Sequence, residues 1–358
     1  MHFFRFTLLL LLLSCSRLSA QGFESVFPGL SGAELIDSVA SNFRPDSVLD
    51  YGMARDTLYA KILAIDDDSL RCIYSGHTLY LDPTQDPTQY IFQGGGPNGI
   101  NTEHSYPQSK GAADGNARSD MHHLYPTRVP VNEARASVPF ADISDAQTQK
   151  WFIGNQVFTS IPTVNKDGYS ESRSDAFEPR ESVKGDIARS IFYFYTMYSA
   201  QANMADPNFF ELQRPTLCQW ANQDPADSTE LRKTWRIAAY QSGKPNPFVI
   251  DCTLASRCWC PGVISNCLVG TDAPFAPFGG TLQVWPNPAN EVLFVKLEPA
   301  APATFRLIDF MGRTVMLYES IHGEGSFSLK NLPRGLYFVQ ISGTKTGQKF
   351  QSVKVVVE

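Results

Sequence analysis

Two short stretches of this 358-residue chain concentrate side chains that could carry out hydrolysis. Residues 101–109 contain Glu103 and His104 side by side, and residues 119–135 contain an aspartate followed by two adjacent histidines. A carboxylate can hold a hard cation such as Mg²⁺, which prefers oxygen ligands and keeps several waters. A neutral imidazole has a pKa near the working pH and therefore suits a general base. The two stretches together indicate a metal-assisted hydrolase site.

The same side chains also have purely structural interpretations. His122 and His123 could form a buried pair, Glu103 could take part in a surface salt bridge, and Asn132 could cap a helix. The zinc-protease pattern His-Glu-x-x-His is absent from the sequence. Residue types and spacing alone therefore leave both a catalytic site and a structural cluster open.

Three motifs that follow one another along the chain make the catalytic interpretation specific. They are Glu103-His104-Ser105-Tyr106-Pro107, Asp120-Met121-His122-His123-Leu124-Tyr125-Pro126 and Val131-Asn132-Glu133-Ala134-Arg135. In this order they resemble the endonuclease I family of ββα-metal (His-Me finger) nucleases, and the resemblance spans residues 50–255. It implies an α+β fold, with a ββα-metal nuclease core and surrounding helices.

The resemblance also implies a reaction and a role for seven side chains. The reaction is non-specific hydrolysis of DNA, with RNA as a further substrate, to products with 5′-phosphate ends. The metal is Mg²⁺, for which Mn²⁺ or Ca²⁺ are alternatives. In this scheme His104 is the general base, Glu103 and the Asn132 amide oxygen ligate the metal, Arg135 and Arg180 are alternative phosphate contacts, and Asp120 and His122 brace the site.

Two positions depart from the pattern of that family. Arg118 stands where a glutamate is found two residues before the aspartate, and Ala136-Ser137 replaces the Gly-Asn that often follows the arginine. These departures concern secondary ligands and substrate contacts, whereas the Glu103-His104 pair is intact.

Net charge is the bulk property that argues, weakly, against a nucleic acid substrate. The chain carries a formal charge of −6, with eleven acidic and four basic residues over 21–100 but twelve and ten over 101–190. A bound cation can supply local positive charge. Two alternatives remain open: a secreted metallohydrolase of another substrate class, and a non-catalytic binding protein on the same fold.

The surrounding elements can be placed coarsely from hydrophobic periodicity and turn residues. Alternation over residues 70–81 predicts a strand or hairpin. Helices are clearest over 186–241, where Asp186 is expected to cap a first helix and Asp227 with Glu230 a second. Residues 21–270 are predicted to form the nuclease domain.

The amino terminus predicts export. A short apolar run followed by Leu18-Ser19-Ala20 is typical of a secretory signal over residues 1–20, cleaved after Ala20. A lipoprotein signal with Cys15 as the acylated residue is the alternative. After signal removal no transmembrane segment is expected, and we expect a monomer.

Six cysteines remain after the signal. An even number in an exported chain indicates disulfides, although six cysteines permit 15 pairings. The cluster Cys252, Cys258, Cys260 and Cys267 lacks a Cys-x-x-Cys pair and a nearby histidine. It is therefore interpreted as disulfide-forming, with zinc as the alternative.

The last part of the chain differs from the first in composition and in hydrophobic pattern. Residues 271–281 are rich in proline and glycine and predict a linker, and residues 282–358 show six short alternating runs separated by turns. The motifs Val284-Trp285-Pro286-Asn287-Pro288, Leu307-Ile308-Asp309-Phe310-Met311-Gly312-Arg313 and Leu332-Pro333-Arg334-Gly335 resemble a type IX secretion C-terminal sorting domain. That resemblance implies an Ig-like sandwich, the type IX machinery as a partner, and passage through the periplasm to the cell surface or medium. A sugar- or protein-binding sandwich is the alternative.

Overall fold

The computed structural model describes residues 25–263, 265, 281–298, 303–309, 314–320, 323–343 and 351–357. The predicted signal peptide, Cys15, Cys267 and residues 271–280 of the predicted linker lie outside these residues. Thr281, the last residue of that predicted linker, already begins a strand.

The first part of the chain mixes ten α-helices, several 3-10 turns and one π-helical turn with eight short strands among its described residues. The helices are α1 Gly32–Phe43, α2 Tyr51–Thr57, α3 Pro87–Gly94, α4 Gly115–Ser119, α5 Val129–Arg135, α6 Lys184–Ala205, α7 Phe209–Gln223, α8 Ser228–Ala238, α9 Pro247–Ile250 and α10 Leu254–Cys258. The strands are β1 Ser69–Arg71, β2 Thr78–Tyr80, β3 Ile100–His104, β4 Leu124–Arg128, β5 Lys150–Ile153, β6 Gln156–Phe158, β7 Ser170–Arg173 and β8 Ala176–Glu178. They form three antiparallel sheets with the orders β1-β2, β3-β4 and β6-β5-β7-β8. The predicted α+β class is confirmed.

The local predictions agree with the structure except at one helix start. Strands β1 and β2 form the hairpin expected over 70–81. The Asp227 side chain caps α8, because it accepts bonds from the backbone nitrogens of Thr229 and Glu230. The prediction for Asp186 was wrong: α6 begins two residues earlier, at Lys184, so that Asp186 lies inside its first turn.

Helix α6 runs through the core and is buried along most of its length. Ile187, Ile191 and Phe192 are fully buried, and α7 packs along it. A helix that is buried on nearly all sides occupies a central position, and its buried Lys184 and Arg189 are held there by ion pairs. The site described below is built against this helix, so α6 is the frame of the domain.

The two ends of this first part of the chain are tied together. Val26 donates from its backbone nitrogen to Asp251 Oδ2 over 2.7 Å. Arg257 in α10 donates to the same carboxylate oxygen over 2.6 Å and to the carbonyl of Val26 over 2.9 Å. The first described residues are therefore held by the last helix.

The cysteine prediction is confirmed for disulfide formation and corrected in extent. Cys218 is bonded to Cys260, and Cys252 is also disulfide-bonded. Cys72 and Cys258 are buried free thiols, so not all six cysteines are paired. Among the described residues no group of three or more His, Cys, Asp or Glu side chains forms a metal cage.

The last part of the chain is an all-β sandwich. Seven strands are described in it: β9 Thr281–Trp285, β10 Val292–Glu298, β11 Ala303–Asp309, β12 Thr314–Ser320, β13 Glu324–Ser328, β14 Gly335–Gly343 and β15 Gln351–Val357. They form sheets of order β13-β10-β9 and β12-β11-β14-β15, whose inner faces share one apolar core. The six predicted runs are confirmed as strands where they are described, and β9 is an additional strand. Within the described part of the chain, no helix is both long and apolar enough to span a bilayer.

Candidate active site

The three motifs of the sequence fold into one strand–strand–helix unit. Strands β3 and β4 pair antiparallel, with Glu103 opposite Tyr125 and His104 opposite Leu124. Helix α5 begins at Val129, directly after β4, with proline in its first turn, where the missing N–H costs nothing. The segment between the strands folds back on β3, since Ser105 donates from its backbone nitrogen to the His123 carbonyl over 3.0 Å.

Asn132 is brought beside β3 by a contact with Asn101. Successive side chains of a strand point to opposite faces, so Asn101 and Glu103 share one face and His104 lies on the other. Asn132 Nδ2 donates to Asn101 Oδ1 over 2.7 Å. This bond uses the nitrogen of the Asn132 amide, and its oxygen is the atom left to accept another partner.

Glu103 is a buried carboxylate whose negative charge is only partly compensated by its neighbours. Only 5% of the residue is exposed. Tyr74 Oη donates to its Oε1 over 3.2 Å, and Arg135 Nε lies 3.4 Å from the same oxygen without hydrogen-bond geometry. Burial raises the pKa of Glu103 to about 7, because the loss of hydration outweighs the lowering by Arg135 and Tyr74. Both partners contact Oε1, so Oε2 is the oxygen better placed to take a cation.

His104 is held in one tautomer by a backbone carbonyl. Its Nε2 lies 2.8 Å from the carbonyl oxygen of Arg118, which can only accept, so Nε2 carries the proton and Nδ1 the lone pair. The Gln108 amide nitrogen lies 3.4 Å from Nδ1. Burial, and next the neighbouring His123, lower the pKa of His104 to about 3. The ring is therefore neutral at neutral pH, with Nδ1 as its basic atom.

His123, which the sequence analysis did not select, is the histidine in contact with His104. The two rings lie 5.3 Å apart between centroids. His123 Nε2 donates to the Ala117 carbonyl over 2.6 Å, and burial lowers the pKa of His123 to about 4. The segment forms a 3-10 turn here, so neither strand nor helix periodicity could show which of the two adjacent histidines faces the site.

His122 and Asp120 contact the framework around the site. His122 Nε2 donates to the Lys244 carbonyl over 2.9 Å. Asp120 is fully buried and accepts four hydrogen bonds. Its donors are the His122 backbone nitrogen at 3.0 Å and Gln241 Nε2, Tyr193 Oη and Tyr198 Oη, each at 2.8 Å. These contacts support the bracing roles expected for both residues, because they connect the turn after α4 to α6 and to the segment after α8.

The guanidinium of Arg135 is fully buried and its contacts lie within the protein. It pairs with Glu103, donates to the carbonyls of Val138 and Ser105, and lies 4.1 Å from the Phe140 ring centroid. This geometry supports a positioning role toward Glu103. The phosphate contact implied by the family resemblance stays a prediction.

Arg180 lies outside the strand–strand–helix unit. Its Nε donates to the Ile73 carbonyl over 3.0 Å and its Nη1 to Ser182 Oγ over 2.7 Å. Ile73 precedes Tyr74, which bonds Glu103, so the link from Arg180 to the site is indirect. Its role as a phosphate contact also stays a prediction.

A second group missed by the sequence analysis lies beside His104. The Tyr51 ring centroid is 5.4 Å from that of His104. The guanidinium carbons of Arg55 and Arg118 each lie 4.7 Å from the Tyr51 centroid. Arg118 is the residue that replaces the expected glutamate, and it is exposed. The site therefore has two cations at its margin.

Family models match both parts of the chain. The model described as Endonuclease I matches residues 33–252, and the model described as Secretion system C-terminal sorting domain matches residues 283–358. The second match marks the protein as a type IX product that is secreted or displayed at the cell surface.

Two curated relatives are extracellular ribonucleases of Bacillus species. The one from Bacillus amyloliquefaciens is 29% identical over 191 residues, which are 49% of this chain and 59% of that protein. The one from Bacillus subtilis (strain 168) is 28% identical over 178 residues, which are 46% of this chain and 56% of that protein. The chain thus spans less than two thirds of the length of either relative.

Two solved structures show a weaker likeness. One is PorZ, a surface component of the type IX secretion system of Porphyromonas gingivalis, at 20% identity over 22% of this chain and 11% of that chain. The other is a protein with an immunoglobulin-like β-sandwich from Bacteroides vulgatus, at 21% identity over 22% of this chain and 83% of that chain. Both have a TM-score of 0.19 and support no structural conclusion.

Proposed function

The chain belongs to the Endonuclease I family, and from that premise we propose that it is a secreted, metal-dependent endonuclease that hydrolyses DNA or RNA without sequence specificity. The observation that carries the proposal is the arrangement at the end of β3. His104 presents a lone pair at Nδ1, and Glu103 lies on the opposite face of the strand. Asn132 is held beside that opposite face by its hydrogen bond to Asn101. A base and two oxygen donors thus belong to one short strand–strand–helix unit.

His104 is the base in this proposal. Its bond to the Arg118 carbonyl orients the ring and leaves Nδ1 to take a proton from an attacking water. A pKa of about 3 would make the free imidazole a weak base. A bound phosphodiester would bring negative charge close to the ring and so favour its protonated form.

Glu103 and Asn132 fit a hard divalent cation. Their donors are a carboxylate and an amide oxygen, the ligand types that Mg²⁺ prefers, and an Mg²⁺ site keeps several waters. Burial raises the pKa of Glu103 despite the neighbouring Arg135 guanidinium, and a cation would supply further compensating charge. Bound there, Mg²⁺ would act as a Lewis acid on the phosphate and the leaving oxygen. Arg135 would keep Glu103 oriented for this role.

The substrate class follows from phosphate chemistry and from the relatives. Two relatives are named extracellular ribonucleases, which favours RNA as one substrate of this chain. Contacts to the phosphate backbone carry no sequence information, so a site of this kind is expected to cut at many sequences. Cleavage of the bond between phosphorus and the 3′ oxygen would leave products with 5′-phosphate ends.

The direct test is digestion by the purified mature protein. Supercoiled plasmid and a structured RNA are incubated with the protein in Mg²⁺, Mn²⁺ or Ca²⁺, and in parallel with EDTA. Cutting in a divalent metal that EDTA stops is the expected result. Failure of a folded sample to cut either nucleic acid in all three metals would overturn the proposal.

A further inference from the structure

A groove of about 260 Å³ opens beside the first half of β3, the strand that ends in Glu103 and His104. We call it the α3 groove and define it by Arg55, Gln89, Phe92, Gln93 and Asn101, which line it from α2, α3 and β3. One water occupies roughly 30 Å³ of liquid volume. The groove is therefore large enough for a planar ring of nucleobase size rather than for a single solvent molecule.

The α3 groove adjoins the proposed metal site. Asn101 lines the groove, and its Oδ1 accepts the 2.7 Å hydrogen bond from the Asn132 amide. Asn132 is the residue proposed to ligate the cation from α5. A ligand in the groove would thus contact Asn101, the residue that holds the proposed metal ligand Asn132.

The lining chemistry fits a nucleobase. Phe92 lines the groove and is 50% exposed, so much of its side chain is open to a ligand. Nucleobases stack on aromatic side chains with little dependence on sequence. The amides of Gln89 and Gln93 offer both donors and acceptors to the edge of a base.

The arginines of the site margin fit the phosphates of the same nucleotide. Arg55 lines the groove and also stacks on Tyr51, with Arg118 on the same ring and His104 beside it. Arg55 Nε is buried without a hydrogen-bond partner. Guanidinium groups match phosphate oxygens in geometry as well as in charge. Arg55 therefore connects the groove to the Tyr51 ring, which Arg118 and His104 also contact.

We propose that the α3 groove binds the base of the nucleotide next to the scissile phosphate, with Arg55 and Arg118 on the adjoining phosphates, and that it thereby favours single-stranded nucleic acid. A base within a duplex is paired and stacked, and leaves the stack only at a cost in free energy. A single strand presents its bases freely. This inference rests on the proposed nuclease function and adds its substrate form.

The test compares one oligonucleotide sequence as a single strand and as a duplex with its complement. Full mature protein is assayed with Mg²⁺ as wild type, Phe92→Ala, Phe92→Trp and Lys330→Gln. Phe92→Ala is expected to lower kcat/KM on the single strand on the order of tenfold, through KM, and to change the duplex rate less than about twofold. Phe92→Trp keeps an aromatic side chain and is expected to restore most of the single-strand kcat/KM that Phe92→Ala loses. Lys330→Gln removes an exposed charge from the sandwich domain and is the control.

Binding of the labelled single strand in EDTA tests the arginines. Arg55→Gln removes one cation and leaves the amide side chains of Gln89 and Gln93 in the groove unchanged. Loss of one phosphate contact is expected to reduce the slope of log affinity against log salt by about 0.7 for a single strand. Arg55→Lys keeps the charge and is expected to restore most of that slope.

Separate outcomes distinguish this inference from the proposed function. If wild-type protein cuts, but Phe92→Ala and Arg55→Gln match it on both strand forms, the groove inference is overturned and the nuclease stands. Equal losses on single strand and duplex would also overturn it. If wild-type protein cuts neither form in any of the three metals, the nuclease proposal fails and this inference fails with it. Circular dichroism of each variant verifies folding, and if Phe92→Ala is unfolded the arginine variants decide.

Discussion

The two parts of this chain treat buried charge in opposite ways. In the first part Glu103, Asp120, Arg135, Lys184 and Arg189 are all buried, and several of them lie around one strand–strand–helix unit. In the sandwich domain the core is apolar, and among its described residues Asp309 is the buried charged side chain. Burying a charge costs free energy unless partners compensate it. The first part carries that cost where chemistry is proposed, whereas the second is built as a stable module for export.

The largest effect that would sharpen this comparison is expected from His104→Ala. Loss of the base should lower the rate on plasmid or RNA by on the order of 10²-fold or more, the usual scale for general base catalysis. Initial rates at fixed Mg²⁺ measure it. Lys330→Gln in the sandwich domain is the matched control and should cut at the wild-type rate. A loss below about tenfold in folded His104→Ala would assign the base to another residue.

A cavity in the sandwich core should produce the reverse pattern. Leu307 is fully buried in β11, so Leu307→Ala is expected to destabilise the sandwich by about 2–5 kcal/mol. Denaturant unfolding followed by fluorescence measures the loss. Because the proposed chemistry resides in the first part of the chain, nuclease activity should be unchanged. An equal loss of activity and stability would break the comparison.

Asp120→Asn should affect both stability and rate, by smaller amounts. The substitution keeps the shape but replaces an acceptor oxygen, so that at least one of four buried donors loses its partner. An unsatisfied buried group costs about 1–3 kcal/mol. Tyr198→Phe removes one donor and leaves the carboxylate, so it should cost less than Asp120→Asn in a parallel denaturation series. The same or a larger cost for Tyr198→Phe would contradict a bracing role for the carboxylate.

The smallest expected change is in the titration of His104. Its pKa is lowered from the ordinary value to about 3, so the ring stays neutral as the pH falls from 8 to 5. A lowered pKa of a base moves protonation to more acidic pH, and the metal-free protein should therefore show no His104 titration in that window by NMR. His77 is less buried and its pKa is lowered less, so it is the internal reference. A midpoint for His104 near 6.5 would show that burial does not control this ring.

Much of this arrangement was accessible from sequence because it is local. Glu103 and His104 are adjacent in one strand, and β4 with α5 follows within the same motif order, so pattern and resemblance together predict the unit. The Asp227 cap could be predicted for the same reason, since its hydrogen bonds reach only two and three residues along the chain. The start of α6 could not be predicted from local sequence. Ion pairs of Lys184 with Glu178 and Glu181 hold the first turn, and Asp186 makes no capping bond.

The remaining features depend on contacts between distant segments. Tyr51 and Arg55 lie about 50 residues before His104, and no spacing rule places them beside it. The choice between His122 and His123 depends on a single 3-10 turn. The burial of Arg135 arises from Phe140 and Ser105, neither of which belongs to its own helix. Such placements are set by tertiary packing, which composition and periodicity do not encode.

The hydrogen bond between Gln241 and Asp120 can form only late in synthesis of the chain. The two residues are 121 positions apart, and Asp251 further ties the last helix to Val26. A chain that emerges amino end first contains Glu103 and His104 long before it contains the residues that hold them in place. A product of interrupted synthesis that stops before residue 241 would carry the reactive side chains without their frame. We therefore expect such an unfinished copy to lack the nuclease activity proposed for the full chain, because Asp120 has lost its bond from Gln241.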